Sequence, residues 1–189
     1  MGKISEFTQA DFEVIARDYA DLMEAARKRC HNNEELEVIN KAFEFANEAH
    51  KGVRRRSGEP YILHPIAVAK IVVSNIGLGY KSIVAALLHD VVEDSHWTFE
   101  MLEKEGFSDE IIDALRCVTK LSEDEDYDHF IDRISGNRLA VKVKLNDLAD
   151  NLDLSRLADP GDKDIVRSQK YLRARDRLLE RLRELESLK

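Results

Sequence analysis

Apolar side chains recur at intervals of three and four residues through most of this 189-residue chain. That spacing places them on one face of an α-helix, whereas a half-buried strand would need alternation at every second position. One stretch is apolar almost throughout and is interrupted only by His89-Asp90. The pattern predicts helices over about residues 8–29, 34–51, 65–77, 82–92, 98–104, 108–120, 127–135, 137–157 and 163–188.

Composition also favours an all-α fold. The chain holds only 3 Pro and 8 Gly, too few for a fold with many tight turns between strands. It is 43% hydrophobic, which is enough for one substantial core, and 35% charged, as expected for long solvated helices. Because the length is close to that of one domain and no linker stands out, we expect residues 1–189 to form a single domain.

The net charge and the hydropathy of the chain disfavour some classes of binding partner. The formal charge of −8 disfavours a general nucleic-acid groove, since phosphate backbones require a basic surface. No apolar run is long enough to span a bilayer, and the N-terminus lacks the apolar segment of a signal peptide. We therefore expect a cytoplasmic protein with neither a nucleic-acid nor a membrane partner. The long terminal helices leave a homodimer open.

Two imidazoles and two carboxylates stand out inside apolar helical segments: His64, His89, Asp90 and Asp147. Each alone is more often structural, as a helix cap or a solvated acid. Burying charged groups in an apolar helix is costly without a strong partner. Nitrogen and oxygen donors together suit Mn²⁺, Fe²⁺ or Zn²⁺, and such a metal can activate water near neutral pH. The set therefore predicts a metal-dependent hydrolase.

More polar groups cluster around these four. Glu93 follows His89 by four residues, and Asp94 follows Asp90 by four, so all lie towards one side of a helix end. Crowded acids need a cation or raised pKa values, which strengthens the prediction of a metal. Asn151 shares a helix face with Asp147 in the same way, although alone it would be read as a surface amide.

The segment Arg54-Arg55-Arg56-Ser57-Gly58 concentrates three positive charges in an acidic chain. Guanidinium groups bind phosphate bidentately and stack on planar bases. The alternative is a solvated basic loop without a ligand. Because the segment comes shortly before His64, it is also a candidate clamp for a nucleotide.

Several motifs occur together and in a fixed order. They are Arg55-Arg-Ser-Gly-Glu-Pro-Tyr-Ile-Leu-His64-Pro65, Ala85-Ala-Leu-Leu-His89-Asp90-Val-Val-Glu93-Asp94, and Lys144-Leu-Asn-Asp147-Leu-Ala-Asp-Asn151-Leu. This set resembles the HD-domain metal phosphohydrolases, in particular the alarmone-hydrolase domain of RelA/SpoT-type proteins and their small single-domain relatives. The similarity covers about residues 42–157.

The resemblance implies an all-α HD-domain bundle of about eight to ten helices. It also implies hydrolysis of ppGpp or pppGpp to GDP or GTP and pyrophosphate, with Mn²⁺ or another divalent first-row metal as cofactor. The site residues that it implies are His64, His89, Asp90 and Asp147 as metal ligands, Glu93 and Asp94 at the attacking water, Arg55 at the phosphates, Arg56 and Ser57 at the nucleotide, and Asn151 at the ribose or its phosphate.

The chain departs from the family pattern after Asn151, where it reads Leu152-Asp153-Leu154. Long family members commonly place a basic residue and then a small hydroxyl residue there. An acid at 153 either repels a phosphate or faces solvent. Two other functions stay open: hydrolysis of a different nucleotide phosphate, and a non-catalytic HD module that binds a nucleotide. Alarmone synthesis is not predicted, because the chain has no room for a synthetase region.

Overall fold

The computed structural model describes residues 3–74, 79–122, 124–156 and 161–187. These residues confirm the all-α class and the expected number of helices, with one short antiparallel pair of strands added, β1 (Lys3–Ile4) and β2 (Val53–Arg54). The predicted helix ends at residues 77, 157 and 188 lie outside the described residues. The helices are α1 (Gln9–Arg27), α2 (Asn33–Ala49), α3 (Leu63–Ser74), α4 (Tyr80–Leu88), α5 (Val91–Asp94), α6 (Phe99–Lys104), α7 (Asp109–Val118), α8 (Tyr127–Ser135), α9 (Arg138–Leu152) and α10 (Asp162–Ser187).

Short polar side chains fix where many helices begin. Thr8 accepts a hydrogen bond from the backbone of Asp11, whose carboxylate accepts one in return from the Thr8 backbone. Asn32, Thr98 and Asn137 likewise each accept from the backbone N–H three residues on, at the starts of α2, α6 and α9. These bonds satisfy backbone donors that have no partner within the helix, which explains why the sequence starts helices at these positions.

Helix α4 lies at the centre of the molecule. Every residue from Ile83 to Leu88 is fully buried, and α4 packs against α2, α3, α7 and α9. A helix that is apolar on all sides is stable only when neighbours cover it completely. The end of α4, and therefore the His89-Asp90 pair, is held in the interior of the domain.

The prediction of a single helix over residues 82–92 is wrong in one respect, because the chain forms two helices there. Helix α4 ends at Leu88, and α5 begins at Val91 with Asp90 as its cap, at φ −103° and ψ −4°. In a continuous helix, side chains of adjacent residues point about 100° apart. The interruption lets the carboxylate of Asp90 turn back to within 3.1 Å of His89 Nε2. Hydrophobic periodicity cannot reveal such a break, since the apolar residues continue across it.

Helix α9 is shorter than its predicted extent of 137–157. It ends at Leu152, and a turn of 3₁₀-helix follows over Leu154–Arg156. Between them Asp153 leaves the helical conformation, and its carboxylate accepts a hydrogen bond of 3.0 Å from the backbone of Ser155. Asp side chains often end helices in this way, by competing with the backbone for donors.

Helix α10 covers α9 and α8 and closes the bundle, burying Ala174 and Leu178. Its outer face leaves Ile165, Val166 and Leu172 exposed. Among the described helices, none combines the length and the apolar composition that crossing a membrane would require.

Candidate active site

Three separate parts of the fold bring the predicted metal ligands together. His64 lies in the first turn of α3, His89 and Asp90 lie at the junction of α4 and α5, and Asp147 lies near the end of α9. Helices α3, α4 and α9 all contact one another in the core, which places these side chains at one point. His64 and Asp147 therefore lie close together although they are far apart in sequence.

The distances between the donor atoms are short. The Nε2 atom of His64 lies 3.2 Å from Asp147 Oδ1 and 3.7 Å from Asp90 Oδ2. The Nε2 atom of His89 lies 3.1 Å from Asp90 Oδ2 and 3.7 Å from Asp147 Oδ1. Ligand atoms of His64, His89 and Asp90 all lie within 4.8 Å of one another, as a shared metal ion requires. The structure thus gathers the four side chains around one point.

The two imidazoles each direct Nε2 towards the carboxylates of Asp90 and Asp147. His89 Nδ1 lies 2.8 Å from the carbonyl oxygen of Ala86, and His64 Nδ1 lies 2.6 Å from Asp150 Oδ2. An N–H on each Nδ1 leaves the lone pair on Nε2, facing the carboxylates. His89 Nε2 is moreover buried and has no hydrogen-bond partner within the part of the chain that the structure describes. A buried nitrogen lone pair beside two carboxylates is a donor set that fits a divalent cation.

Protons on the two imidazoles offset the negative charges of Asp90 and Asp147. Burial lowers the pKa of His89, but the carboxylates of Asp90 and Asp147 outweigh that effect and leave the pKa well above its usual value. Burial raises the pKa of Asp147, but the Lys144 ammonium group and the two imidazoles hold it well below its usual value. The carboxylates are therefore ionised and the imidazoles readily hold protons. A divalent cation would replace those protons, because metal binding and protonation compete for the same lone pairs.

Three further side chains hold the carboxylates in place. Tyr61 donates a hydrogen bond of 2.7 Å to Asp90 Oδ2, and Lys144 donates one of 2.7 Å to Asp147 Oδ2. Asn151 donates to the other oxygen of Asp147. Sequence reasoning assigned no role to Tyr61 or Lys144. The only available signal was that Lys144 precedes Asp147 by three residues and so shares its helix face.

The predicted water-activating pair, Glu93 and Asp94, is divided between two environments. Glu93 lines the cavity beside the four candidate ligands, and it accepts a hydrogen bond of 3.2 Å from the Lys120 backbone. Asp94 lies 3.9 Å from the buried imidazole of His50. Burial and the negative charges of Asp90 and Glu93 raise the pKa of Asp94 to about 6. Asp94 can therefore exchange a proton near neutral pH.

His50 was missed by sequence reasoning. It is fully buried, its ring centroid lies 4.8 Å from that of Tyr61, and neither ring nitrogen has a hydrogen-bond partner among the described residues. Burial lowers its pKa to about 4, so the imidazole is neutral near pH 7. A neutral ring contributes no charge beside Asp94, which is consistent with the raised pKa of that acid.

The three consecutive arginines are each paired with a carboxylate from a different helix. Their ion pairs have N–O distances of 2.6–2.9 Å. Ser57 follows them and is exposed. We call residues 54–58 the arginine loop. Arg54 pairs with Asp11 of α1, Arg55 with Asp150 of α9, and Arg56 with Asp164 of α10.

A cavity of about 200 Å³ opens next to the four candidate ligands. Its wall also contains Lys120, Lys144, Asn151 and Tyr171. The predicted substrate residues Arg55, Arg56 and Ser57 are not part of this wall. Asn151 does line it, and its side-chain oxygen lies 3.3 Å from Arg55 Nη2. Asn151 thus joins the cavity to the arginine loop.

The sequence of this chain is similar to sequences of known proteins. The family model described as the HD domain matches residues 42–144. A probable GTP pyrophosphokinase of Mycobacterium leprae is 35% identical over 144 residues, which are 72% of this chain and 18% of that protein. A guanosine-3′,5′-bis(diphosphate) 3′-pyrophosphohydrolase of Aquifex aeolicus is 35% identical over 65% of this chain and 18% of its own length. The chain thus spans less than a fifth of these relatives.

A solved structure of a metazoan orthologue of SpoT, described as hydrolysing ppGpp, superimposes with a TM-score of 0.64. It is 29% identical and the match covers 77% of this chain and 85% of that one. The family model covers more than half of the chain and includes His64, His89 and Asp90. This protein therefore belongs to the HD-domain family, and it is similar to ppGpp hydrolases of the RelA/SpoT type.

Proposed function

We propose that this protein is a hydrolase that depends on a divalent metal and removes the 3′-pyrophosphate from ppGpp and pppGpp. Water is consumed, and the products are GDP or GTP together with pyrophosphate. The observation that carries this proposal is the convergence of two imidazoles and two carboxylates beside a cavity that also contains Glu93 and Lys120. The similarity to the ppGpp hydrolases of Aquifex aeolicus and of a metazoan supports the choice of substrate.

In this proposal His64, His89, Asp90 and Asp147 hold the metal, and Mn²⁺ is the ion that we expect. When bound, a metal of this kind supplies Lewis acidity that makes water a nucleophile near neutral pH. Lys144 and Asn151 keep the carboxylate of Asp147 in place through hydrogen bonds. Tyr61 does the same for Asp90.

Glu93 and Asp94 serve as the proton acceptors. Glu93 faces the cavity, so its carboxylate can orient a water molecule and accept its proton. Asp94, whose pKa is raised to about 6, can hold a proton at the pH of the reaction. The leaving 3′ oxygen of the nucleotide takes up a proton, and the pair returns to its initial state.

Positive charge from three parts of the fold meets the phosphates. The Lys120 and Lys144 ammonium groups line the cavity, where they offset charge on the pyrophosphate. At about 200 Å³ the cavity is smaller than the roughly 300–1,000 Å³ of pockets that enclose a whole drug-sized ligand. We infer that the pyrophosphate enters and that the nucleoside lies outside, towards Arg55, Arg56 and Ser57. Arg55 contacts the phosphates with N–H groups that it does not donate to Asp150, and Asn151 contacts the ribose or its phosphate.

The acid at position 153 is compatible with this substrate. Asp153 is exposed, it accepts a hydrogen bond from the Ser155 backbone, and it is not among the residues that line the cavity. Its carboxylate is engaged at the end of α9 through this hydrogen bond. This supports the second of the two roles considered for Asp153, in which the acid faces solvent.

The decisive experiment measures pyrophosphate and GDP released from ppGpp by the purified protein in the presence of Mn²⁺. Asp147→Asn is the test variant, because it keeps the volume of the side chain and removes a charge from the proposed metal site. Asp153→Asn is the matched control, since it removes the same charge from an exposed position near the end of the same helix. We expect products from the wild type and from the control, and none from Asp147→Asn.

Parallel reactions separate the two alternatives. Deoxynucleoside triphosphates and nucleotides with a single 3′-phosphate are supplied under the same conditions. If one of them is hydrolysed and ppGpp is not, the metal-dependent hydrolase keeps its chemistry but has a different substrate. If ppGpp binds to the metal-loaded protein and no substrate is hydrolysed, the protein is a non-catalytic nucleotide-binding module.

We further propose that residues 1–189 form one domain located in the cytoplasm, with a nucleotide as its only class of ligand besides the metal.

The exposed apolar residues Ile165, Val166, Leu172 and Leu179 lie on the outer face of α10, where a homodimer would bury them. Light scattering of the purified protein tests the homodimer. A mass of 21.7 kDa would correspond to a monomer.

A further inference from the structure

One carboxylate oxygen connects the arginine loop to the proposed metal centre. Oδ2 of Asp150 lies 2.6 Å from His64 Nδ1 and also accepts a hydrogen bond of 2.9 Å from Arg55 Nη1. The side chain of Asp150 is only 5% exposed, and that of His64 only 3%. The imidazole of His64 and the guanidinium group of Arg55 thus contact the same buried oxygen atom of Asp150. The sequence analysis assigned no role to Asp150.

This contact selects the form of His64 that can bind a metal. A carboxylate facing Nδ1 requires a proton on that nitrogen, since two lone pairs would otherwise repel each other. In the neutral imidazole the remaining lone pair is then on Nε2, which points at Asp147 Oδ1, 3.2 Å away. A negative partner also makes the ring a stronger donor to a cation.

Arg55 supplies the positive partner of Asp150. A buried carboxylate without a positive partner would be costly, and its charge would add to those of Asp90 and Asp147. The guanidinium group of Arg55 compensates that charge, and its second nitrogen lies 3.3 Å from Asn151 Oδ1. The loop and the proposed metal centre are therefore held by the same hydrogen-bond network.

We propose that Asp150 is a positioning residue that orients His64 for metal binding and joins the arginine loop to the metal centre. It contacts neither the metal nor the substrate, and it acts through His64 and Arg55. The proposal rests on the metal site proposed above, but it does not depend on which nucleotide is hydrolysed.

The test measures metal affinity in the absence of substrate. Mn²⁺ binding is determined by competition with a chromophoric chelator for the wild type, Asp150→Ala, Asp150→Asn and the control Asp153→Asn. Partners of metal-binding histidines typically contribute about 10- to 100-fold in affinity. We expect Asp150→Ala to lose affinity by that factor. Asp150→Asn should lose less, because its amide oxygen still accepts from Nδ1, and the control should bind as the wild type does.

A spectroscopic signature distinguishes positioning from a general structural role. With Zn²⁺ as a diamagnetic probe, the Nδ1 proton of His64 should give a downfield, slowly exchanging NMR resonance, assigned by its loss in His64→Gln. The resonance should shift in Asp150→Asn and disappear in Asp150→Ala. Loss of packing alone would lower the thermal stability without changing this proton.

Two results would overturn the proposal. One is an Asp150→Ala variant that is folded by circular dichroism and binds Mn²⁺ within about threefold of the wild type. If Asp150→Ala does not fold, Asp150→Asn decides, and wild-type affinity with an unshifted resonance overturns it. A wild-type protein that binds no Mn²⁺ would instead remove the metal site itself, whereas failure to hydrolyse ppGpp leaves this test unaffected.

Discussion

At the residue scale, Glu93 and Asp94 show how adjacent acids acquire different properties. Glu93 reaches the cavity and is bonded to the Lys120 backbone, while Asp94 lies against the neutral ring of His50. Two carboxylates with distinct surroundings can take distinct roles in proton transfer.

Glu93→Gln should abolish most turnover without releasing the metal, because the amide keeps the size of the side chain but cannot accept a proton. General acid–base groups contribute about 10²- to 10⁴-fold to rate, so we expect a loss in that range. The rate of pyrophosphate release and the Mn²⁺ affinity are measured on the same sample. Glu103→Gln, an exposed glutamate paired with Arg116, is the control. A rate within threefold of the wild type would exclude Glu93 as the proton acceptor.

The free energy of unfolding of the metal-free protein should fall as the pH rises and Asp94 loses its proton. Its pKa is about 6 in the folded state against an ordinary value of 3.8, so between these values the folded protein holds a proton that the unfolded chain has lost. The stability contributed by this group is therefore complete below about pH 4 and falls until about pH 6. Asp94→Asn removes the effect.

The melting temperatures of wild type and Asp94→Asn, measured with a chelator at pH 4 and pH 7, check this expectation. The variant should gain stability relative to the wild type at pH 7 and not at pH 4. An equal difference at the two pH values would show that the carboxyl group titrates normally.

Sequence patterns could identify the candidate ligands but not the residues that support them. His89-Asp90 is conspicuous because two polar side chains interrupt an apolar helix. Asp150 and Lys144 instead lie in a helix that is polar on one face, where acids and lysines are common. Only the packing of α9 against α3 turns Asp150 towards His64.

At the scale of elements, the N-terminal segment organises the arginine loop. Strand β1 pairs with β2, and the guanidinium group of Arg54 donates to both oxygens of Asp11 and to the carbonyl of Glu6. Arg54 is therefore fully engaged in holding the loop, whereas Arg56 has a side chain that is 63% exposed. The arginines look alike in sequence, but their contacts differ.

Asp11→Asn should loosen the arginine loop by weakening its ion pair with Arg54. Hydrogen exchange of the backbone amides over residues 53–60 should become several-fold faster, because the segment opens more often. KM for the nucleotide should rise while kcat changes little, since the metal ligands are not affected. Asp21→Asn is the matched control, because Asp21 lies on the same helix as Asp11 and forms an exposed ion pair with Lys70 of α3. Unchanged exchange over residues 53–60 would contradict this role of Asp11.

At the scale of the whole molecule, the domain is organised around α4. Most helices could be predicted because their apolar residues follow helical spacing and because Thr, Asn and Asp mark their starts. The break between α4 and α5 could not, since it depends on the side chains that meet there. The relative placement of the helices was also beyond a single sequence, because it results from packing between distant segments.

Leu87→Ala should destabilise the protein by about 2–5 kcal/mol, the usual range for a leucine removed from a packed core. Leu87 is fully buried in α4. The free energy of unfolding is measured by urea denaturation of the metal-free protein. Leu172→Ala is the control for the same substitution at a position 38% exposed, where a change within about 0.5 kcal/mol is expected. Equal losses would mean that α4 is not the centre of the core.

The three ion pairs of the arginine loop also constrain the order of folding. Arg54, Arg55 and Arg56 are bonded to partners 43, 95 and 108 residues away along the chain. Contacts over such separations close long loops, so they form late, after the local helices. During synthesis on the ribosome, the loop cannot be held by all three partners until Asp164 has left the exit tunnel. Completion of the proposed substrate site thus coincides with completion of the bundle, and we expect a partly synthesised chain to have no hydrolase activity.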